Sequence, residues 1–233
     1  MIKKYILALL ICCSTQLWAK APQIEGELVV VHGSCSYFSK KGQKGIGQIT
    51  DSFLEKNKRV ISLVDSQKSI EFLTDIKEKF EKQAPRTTKS CSTNIGDSYY
   101  NYYPAVAETE LRYSRDGEND YVPVSNLVTV TGGYWNMCYN RALLDIIENS
   151  KEKNELNIQI PMKAIFGAGN LSEDAYKYEN YVSSLVREDI FKRLVEKGMT
   201  DFQIQTELDG RVDGERFINQ SGKFKINIKF FSD

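Results

Sequence analysis

Two short apolar runs constrain the fold of this chain more than any other feature. They lie at 27–31 (ELVVV) and 60–64 (VISLV), and neither alternates apolar with polar residues. Strands that are buried on both faces of a parallel sheet have this pattern. Further strands are predicted at 107–114, 127–131 and 156–160, and helices at about 47–57, 69–82, 139–149 and 172–197. Because strands and helices alternate, the sequence predicts an α/β fold with a mostly parallel sheet between helices.

The end of the chain has a different pattern. Residues 202–208 (FQIQTEL) and 223–231 (KFKINIKFF) alternate strictly between apolar and polar side chains. Such alternation is typical of strands that are buried on one face only and that pair antiparallel. Glycine-containing turns separate the two segments. We therefore predict that residues 202–233 form a C-terminal antiparallel β-hairpin on the edge of the sheet.

The first 21 residues have the pattern of a signal peptide. Lys3 and Lys4 precede an apolar run at 5–13, and Ala19 and Ala21 provide small residues for cleavage. The run is too short for a membrane-spanning helix, which needs about 20 apolar residues. We expect an exported protein, periplasmic or secreted, with a signal peptide at 1–21, an α/β domain at 22–201 and the hairpin extension at 202–233. No membrane span is expected after the signal peptide.

Charge and motif content exclude several classes of partner and cofactor. The chain has 31 basic and 31 acidic residues, and removing Lys3, Lys4 and Lys20 leaves 28 basic residues and a net charge of −3. A nucleic-acid partner would favour a basic excess, so none is expected. The glycine-rich segment 40–48 lacks the lysine and hydroxyl residue of a phosphate-binding loop. Because the chain has one histidine and no CxxC pair, neither a metal site nor another cofactor is predicted.

The segment 129–147 (TVTGGYWNMCYNRALLDII) joins a buried strand to a helix through a cysteine. Cys138 lies after the carboxyl end of the strand, where open α/β sheets place their functional sites. It also lies at the start of the helix, where the helix dipole favours the thiolate form. The sequence therefore makes Cys138 the candidate nucleophile.

This segment resembles the nucleophile motif of the isochorismatase-like cysteine hydrolases. The shared features are the strand, a glycine six residues before the cysteine, a polar residue two before it and the following helix. The resemblance implies a Rossmann-like sheet of six parallel strands in the order 3-2-1-4-5-6. It implies that Cys138 attacks the carbonyl of a small amide or ester, and that backbone groups of Gly133, Tyr134, Met137 and Cys138 form the turn and oxyanion hole. It also implies a cis peptide near Gly133-Tyr134.

The other catalytic residues of that superfamily are not matched. Its first strand ends in an aspartate, and here the corresponding residue is His32. Its lysine has no clear counterpart, and the nearest cationic candidates are Lys89, Arg112 and Arg115. Two interpretations of His32 remain. It acts as the base of a Cys138–His32 pair, since histidine is basic near neutral pH, or it is a structural residue in a site that has lost its catalytic set.

The remaining cysteines, Cys35 and Cys91, leave the disulfide pairing open. A Cys35–Cys91 bridge would close the long irregular segment 84–123 and is favoured for that reason, whereas a Cys35–Cys138 bridge would block the nucleophile. A redox-responsive protein that uses Cys35 and Cys138 ranks last among the possible functions, because the chain lacks a CxxC pair. Two other functions follow from the sequence. The first is hydrolysis of a small-molecule substrate, and the second is a non-catalytic binding or interaction module. Homo-oligomerisation through the hairpin stays open.

Overall fold

A computed structural model of the chain describes residues 21–33, 40–80, 109–133, 135–166, 179–219 and 222–231. Within these ranges the chain forms nine strands and four α-helices. The strands are β1 (Glu27–Val31), β2 (Val60–Val64), β3 (Glu110–Tyr113), β4 (Leu127–Gly133), β5 (Glu155–Pro161), β6 (Ile165–Phe166), β7 (Phe202–Leu208), β8 (Arg211–Phe217) and β9 (Phe224–Phe231). The helices are α1 (Lys40–Glu55), α2 (Gln67–Phe80), α3 (Asn140–Asn149) and α4 (Glu179–Glu196).

Eight strands form one sheet in the order β3-β2-β1-β4-β5-β9-β7-β8, and the two-residue β6 pairs with β4. Every pairing is parallel except that of β7 with β8. The predicted α/β class and mostly parallel sheet are confirmed. The predicted count of six strands in the parallel sheet is wrong, because segment 223–231 joins that sheet as β9, and β6 and β8 were not expected.

The C-terminal strands correct a second prediction. An antiparallel hairpin does lie at the sheet edge, but its strands are β7 and β8, joined at Asp209-Gly210, where both residues have positive φ. This is the backbone of a type I′ turn, for which Asp-Gly is a preferred sequence. Segment 223–231 is not the partner in that hairpin. It forms β9, which lies between β5 and β7 and runs parallel to both.

Strand order reverses between β1 and β4. The chain moves outward from β1 through β2 to β3 in one direction, and then from β4 to β5 in the other. With right-handed crossovers, α1 and α2 cover one face of the sheet and α3 covers the opposite face. The carboxyl ends of β1 and β4 therefore border the crevice at the topological switch point, which is the usual ligand position in open α/β sheets.

The core on the α3 and α4 face explains why β9 alternates. Phe224, Ile226, Ile228 and Phe230 are all buried in one apolar cluster with residues of α3 and α4. The intervening Lys225 is exposed, and Asn227 and Lys229 are half-buried. The strand is thus buried on one face, as its sequence indicates, although it is parallel to both neighbours.

The first half of α1 occupies most of the glycine-rich segment 40–48. A Cβ atom added at Gly45 would lie 2.7 Å from the carbonyl oxygen of Lys163, in the short 3-10 turn that follows β5. The glycine therefore permits close packing of α1 against that turn. Among the described residues, no helix is long and apolar enough to cross a membrane.

Candidate functional site

His32 and strand β4, which precedes the turn that carries Cys138, meet at the switch point. Strand β1 pairs with β4 in a register that sets Val31 opposite Gly132, one residue before His32 and Gly133 respectively. Gly132 has φ of +117°, and a Cβ atom there would lie 2.0 Å from the Val31 carbonyl oxygen. Only glycine allows the two strands to approach so closely at this point.

The ring of His32 is held by the chain that follows β3. His32 is 5% exposed and adopts a left-handed backbone with φ of +45°. Its backbone nitrogen donates to Leu63 of β2 at 2.9 Å, and its Nε2 lies 3.1 Å from the carbonyl oxygen of Ser114. Because a carbonyl oxygen only accepts, Nε2 carries the hydrogen, and in the neutral ring Nδ1 is the basic nitrogen.

Burial lowers the pKa of His32 below its ordinary value of 6.5, because the charged ring would lose its hydration. Three groups act in the opposite direction, namely the carboxylate of Asp65, the hydrogen bond to Ser114 and the carboxylate of Asp116. The effect of burial is larger than these three together, so the pKa of His32 is lowered. The imidazole is therefore neutral at pH 7 and able to accept a proton.

Cys138 lies in a π-helical turn, Trp135–Tyr139, between β4 and α3. Its Sγ donates to the carbonyl oxygen of Gly133 at 2.9 Å, and the residue is 8% exposed. Helix α3 begins two residues later, so the sulfur lies near the positive end of the helix dipole. The resting group is a hydrogen-bonded thiol in a setting that favours negative charge on sulfur when its proton is removed.

A tight turn after β3 contacts both sides of the site. Asp116 and Gly117 have φ of +53° and +94°, and Glu118 donates its backbone N–H to Arg115 at 2.8 Å. These features define a type I′ turn. A Cβ atom at Gly117 would lie 2.0 Å from the carbonyl oxygen of Cys138. The turn thus packs on the backbone of Cys138, while Ser114, one residue before it, holds His32.

Arg141 is the cation that this turn engages. Its Nη1 lies 3.8 Å from an Asp116 carboxylate oxygen, and both side chains are largely exposed. The cationic candidates from the sequence are placed differently. Arg112 bonds Glu110 and lies over the ring of Tyr121, and Lys89 is outside the described residues. Arg115 belongs to the turn itself.

The other residues of the nucleophile motif do not share one environment. The Met137 side chain is 60% exposed beside the turn, whereas Trp135 is 5% exposed and packs in the core. Tyr134, and with it the expected cis peptide, lies outside the described residues. So do Cys35, Cys91 and residues 1–20 of the predicted signal peptide. Gly133 contributes the carbonyl that accepts the Cys138 hydrogen bond.

A cleft of about 830 Å³ is lined by residues of β3, the β3–β4 connection and α3, and by Lys197. Its walls carry charges of both signs, and several of them already bond one another. Lys197 bridges Asp145 and Glu148, and the backbone N–H of Asn119 donates to Asp145. Asp145 therefore ties α3 to Lys197, directly after α4, and to the β3–β4 connection.

Sequence reasoning missed Asp65, Ser114, Asp116 and Gly117. Two signals in the sequence point to them. Asp65 directly follows a buried parallel strand, as His32 does, and carboxyl ends of parallel strands meet at one edge. The Asp-Gly pair at 116–117 is a strong signature of a tight turn. The position of Ser114 depends on the parallel pairing of β3 with β2, which no local pattern encodes.

Comparison with protein-family models and with curated proteins finds no match for this sequence.

Proposed function

We propose that this chain is an exported, divergent isochorismatase-like cysteine hydrolase that acts on small amides or esters, with Cys138 as nucleophile and His32 as base. The observation that carries the proposal is the meeting of β1 and β4 at the switch point. It brings a neutral histidine and a thiol to the carboxyl ends of adjacent strands. The order β3-β2-β1-β4-β5 also agrees with the first five positions of that superfamily's sheet.

The chemistry follows from the hydrogen-bond donors. Because Nε2 of His32 donates to Ser114, Nδ1 takes the thiol proton as Sγ attacks the substrate carbonyl carbon. The carbonyl electron pair moves to oxygen and then returns, expelling the amine or alkoxide, which takes the proton from His32. Water, deprotonated by His32, then hydrolyses the thioester. The products are a carboxylic acid and the restored thiol.

One observation favours a second function, a non-catalytic binding or interaction module. Both candidate groups donate their hydrogens to main-chain carbonyls, His32 to Ser114 and Cys138 to Gly133. Structural side chains in a site that has lost its catalytic function would form hydrogen bonds to main-chain carbonyls in the same way. In the hydrolase, the Cys138 bond to Gly133 opens when the proton moves to His32.

A chromogenic ester, p-nitrophenyl acetate, tests the proposal. We expect nitrophenolate release and an acetylated peptide that contains Cys138, both absent in Cys138→Ala. In His32→Asn the release should slow by about 10²-fold or more, the usual contribution of a general base. Asparagine suits this position because it tolerates positive φ.

The double variant Cys35→Ala/Cys91→Ala is the control, because it removes the two other cysteines after the signal peptide, bridged or not, and should leave acetylation of Cys138 unchanged. Absence of any acyl-Cys138 in the folded wild-type protein would favour the binding module. N-terminal sequencing of protein recovered from outside the cytoplasm checks the proposed export and cleavage.

A further inference from the structure

The cleft lined by β3, the β3–β4 connection, α3 and Lys197 has no part in the proposed hydrolysis. Its volume of about 830 Å³ lies within the range of about 300–1,000 Å³ that is usual for small-molecule sites. Neither Cys138 nor His32 is among the described residues that line it. The cleft is therefore a second concave surface, to which the chemistry at the switch point assigns no ligand.

Hydrogen bonds between the walls fix the shape of the cleft. The backbone N–H of Asn119 donates to Asp145 at 3.1 Å, and its Nδ2 donates to the carbonyl oxygen of Gly117 at 3.0 Å. Its Oδ1 accepts from the backbone N–H of Tyr121 at 3.1 Å. From α3, Nδ2 of Asn149 donates to the carbonyl oxygens of Asn119 and Tyr121. Because these walls are bonded to one another in advance, a ligand would lose little affinity to their ordering.

Several polar groups of the lining remain available to a ligand. Among the described residues, the side chains of Arg115 and Glu118 have no hydrogen-bond or ion-pair partner. In α3, Glu148 bonds Lys197 through Oε2, and Asn149 bonds the connection through Nδ2. Oε1 of Glu148 and Oδ1 of Asn149 accept no hydrogen bond within the described part of the chain. The available set thus contains one guanidinium group and several acceptor oxygens.

The charges that line the cleft nearly cancel. The lining has three basic and four acidic side chains, and Lys197 is already paired with Asp145 and Glu148. A cleft that attracts an ion is lined by charges of one sign, so this balance favours a neutral ligand. An apolar ligand is disfavoured, because it would take these polar groups out of water without replacing their hydrogen bonds. The ligand that fits is therefore neutral and polar.

A half-exposed aromatic ring narrows the class of ligand further. Tyr113 lies in β3, at the edge of the sheet, and is 50% exposed where it lines the cleft. The face of an aromatic ring carries negative charge density, which attracts polarised C–H groups such as those on one side of a pyranose. A hydroxyl group donates one hydrogen bond and accepts others. Sugar hydroxyls therefore match both the acceptor oxygens and the guanidinium of Arg115.

We propose that the cleft binds a small neutral saccharide, stacked on Tyr113 and hydrogen-bonded to Arg115, Glu118 and Glu148. The aromatic ring supplies the apolar contact, and the side chains of the connection and α3 supply donors and acceptors for the hydroxyls. This inference goes beyond the proposed hydrolase and does not depend on the reactivity of Cys138.

Saturation-transfer-difference NMR tests the site with three neutral probes, methyl β-glucoside, methyl β-galactoside and diacetylchitobiose. We expect transfer to the ring C–H protons of at least one probe in the wild-type protein, and titration of that probe gives its Kd. Tyr113→Ala should weaken binding by about three- to tenfold, the contribution of one aromatic contact. Tyr113→Phe keeps the ring and should bind as the wild type does. Phe217→Ala removes a 43% exposed ring outside the cleft and is the matched control, with unchanged Kd.

Two further arms test the polar contacts and the neutral charge of the ligand. Arg115→Gln removes the guanidinium and should weaken binding by about two- to tenfold, the range of one hydrogen bond. Glucuronate and glucosamine carry a negative and a positive charge, and neither should bind more tightly than the neutral probes. Circular dichroism verifies that each variant is folded, and Arg115→Gln replaces an exposed side chain without a described partner, so the site is testable even where Tyr113→Ala unfolds.

Binding of a neutral probe that weakens in Tyr113→Ala and Arg115→Gln but not in Phe217→Ala supports the inference. It is overturned if none of the three neutral probes binds, if folded cleft variants bind as tightly as the wild type, or if a charged sugar is preferred.

Cys138→Ala separates this inference from the proposed hydrolase. Sugar binding that persists in Cys138→Ala, together with no acyl-Cys138 in the wild type, leaves the saccharide site standing while the hydrolase fails. Formation of acyl-Cys138 without sugar binding has the opposite meaning. Loss of sugar binding in Cys138→Ala would place the sugar at the switch point and overturn its assignment to the cleft.

Discussion

The two ends of strand β1 carry buried ionisable groups with opposite arrangements. At the amino end, Glu27 is 4% exposed and accepts hydrogen bonds from Arg59, from the hydroxyl of Tyr121 and from the backbone of Ser125. At the carboxyl end, His32 is equally buried, but its ring has a single described hydrogen bond, to Ser114. The amino end surrounds its charge with donors, whereas the carboxyl end keeps its base neutral.

The amino-end network extends across three strands. Arg59 and Arg112 both bond Glu110 and both lie 5.5 Å from the ring centre of Tyr121. Burial acts to raise the pKa of Glu110, but the hydrogen bonds from the two arginines outweigh it and lower the pKa. Burial and the bond to Glu27 raise the pKa of Tyr121. Side chains that satisfy one another's hydrogen bonds in this way stabilise a fold, but none of them is left to react.

The largest expected effect on stability is that of Glu27→Ala, at the amino end of β1. It removes the shared acceptor and leaves Arg59, Tyr121 and a backbone N–H without it, so we expect a loss of about 3–4 kcal/mol in the free energy of unfolding. Urea denaturation followed by circular dichroism measures this loss. Glu25→Ala, an exposed glutamate two residues earlier, is the control and should change stability by less than about 0.5 kcal/mol. Equal effects of the two substitutions would contradict a structural role for the network.

The carboxyl end is most sensitive at Gly117. Gly117→Ala combines positive φ with a collision against the Cys138 carbonyl, and we expect it to cost about 2–3 kcal/mol. Gly198→Ala is the matched control, because its φ is +79° and nothing lies within 4 Å of the added Cβ. It should cost about 1 kcal/mol. If both substitutions cost the same, the turn does not pack on the nucleophile as described.

A milder change at the amino end is Tyr121→Phe. The ring stays between the two guanidinium groups while one hydrogen bond to Glu27 is lost, so stability should fall by about 1.5 kcal/mol. Thermal denaturation at fixed pH measures it. Tyr113→Phe removes the hydroxyl from a half-exposed tyrosine in β3 and should be neutral. A neutral Tyr121→Phe would mean that Arg59 and Ser125 satisfy Glu27 alone.

The smallest expected effect is the pH dependence that His32 adds to stability. The pKa of His32 is lowered in the folded state, so the unfolded state binds a proton first as pH falls below 6.5. The contribution of His32 to the free energy of unfolding is fully present above pH 6.5. Below that pH it declines, by at most about 1.4 kcal/mol per pH unit, until the pH reaches the lowered pKa of the folded state. His32→Asn lacks this decline. Urea midpoints at pH 7.5 and 5.5 should therefore differ more in wild type than in the variant, and equal differences would contradict the burial of a neutral ring.

The same contrast shows which features local sequence encodes. The runs at 27–31 and 60–64 predicted buried parallel strands, and both were confirmed, because residues buried on two faces leave no polar alternation. The alternation at 223–231 reports only which side chains face the core. It led to an antiparallel prediction that was wrong, since direction depends on pairing with Glu155–Pro161 and Phe202–Leu208.

Strand β8 was not predicted because its sequence, RVDGERF, has the charges of an edge strand and no apolar face. Gly214 within it is not a turn residue, as the guanidinium of Arg187 fills the space above it. At the site, His32 could be selected because it directly follows β1, and Cys138 because it lies between β4 and α3. Ser114 could not, since it reaches His32 only through the pairing of β3 with β2. The Asp116-Gly117 pair indicates a tight turn, but it does not show that the turn lies at the site.

The most direct test of the central claim is the pH dependence of Cys138 alkylation in wild type and in His32→Asn, mapped by peptide mass spectrometry. If His32 is the base of Cys138, the wild-type thiol should react well below pH 8.5, where an ordinary thiol ionises, and His32→Asn should lose this reactivity at low pH. A wild-type profile that rises only near pH 8.5, and that His32→Asn leaves unchanged, would contradict the account.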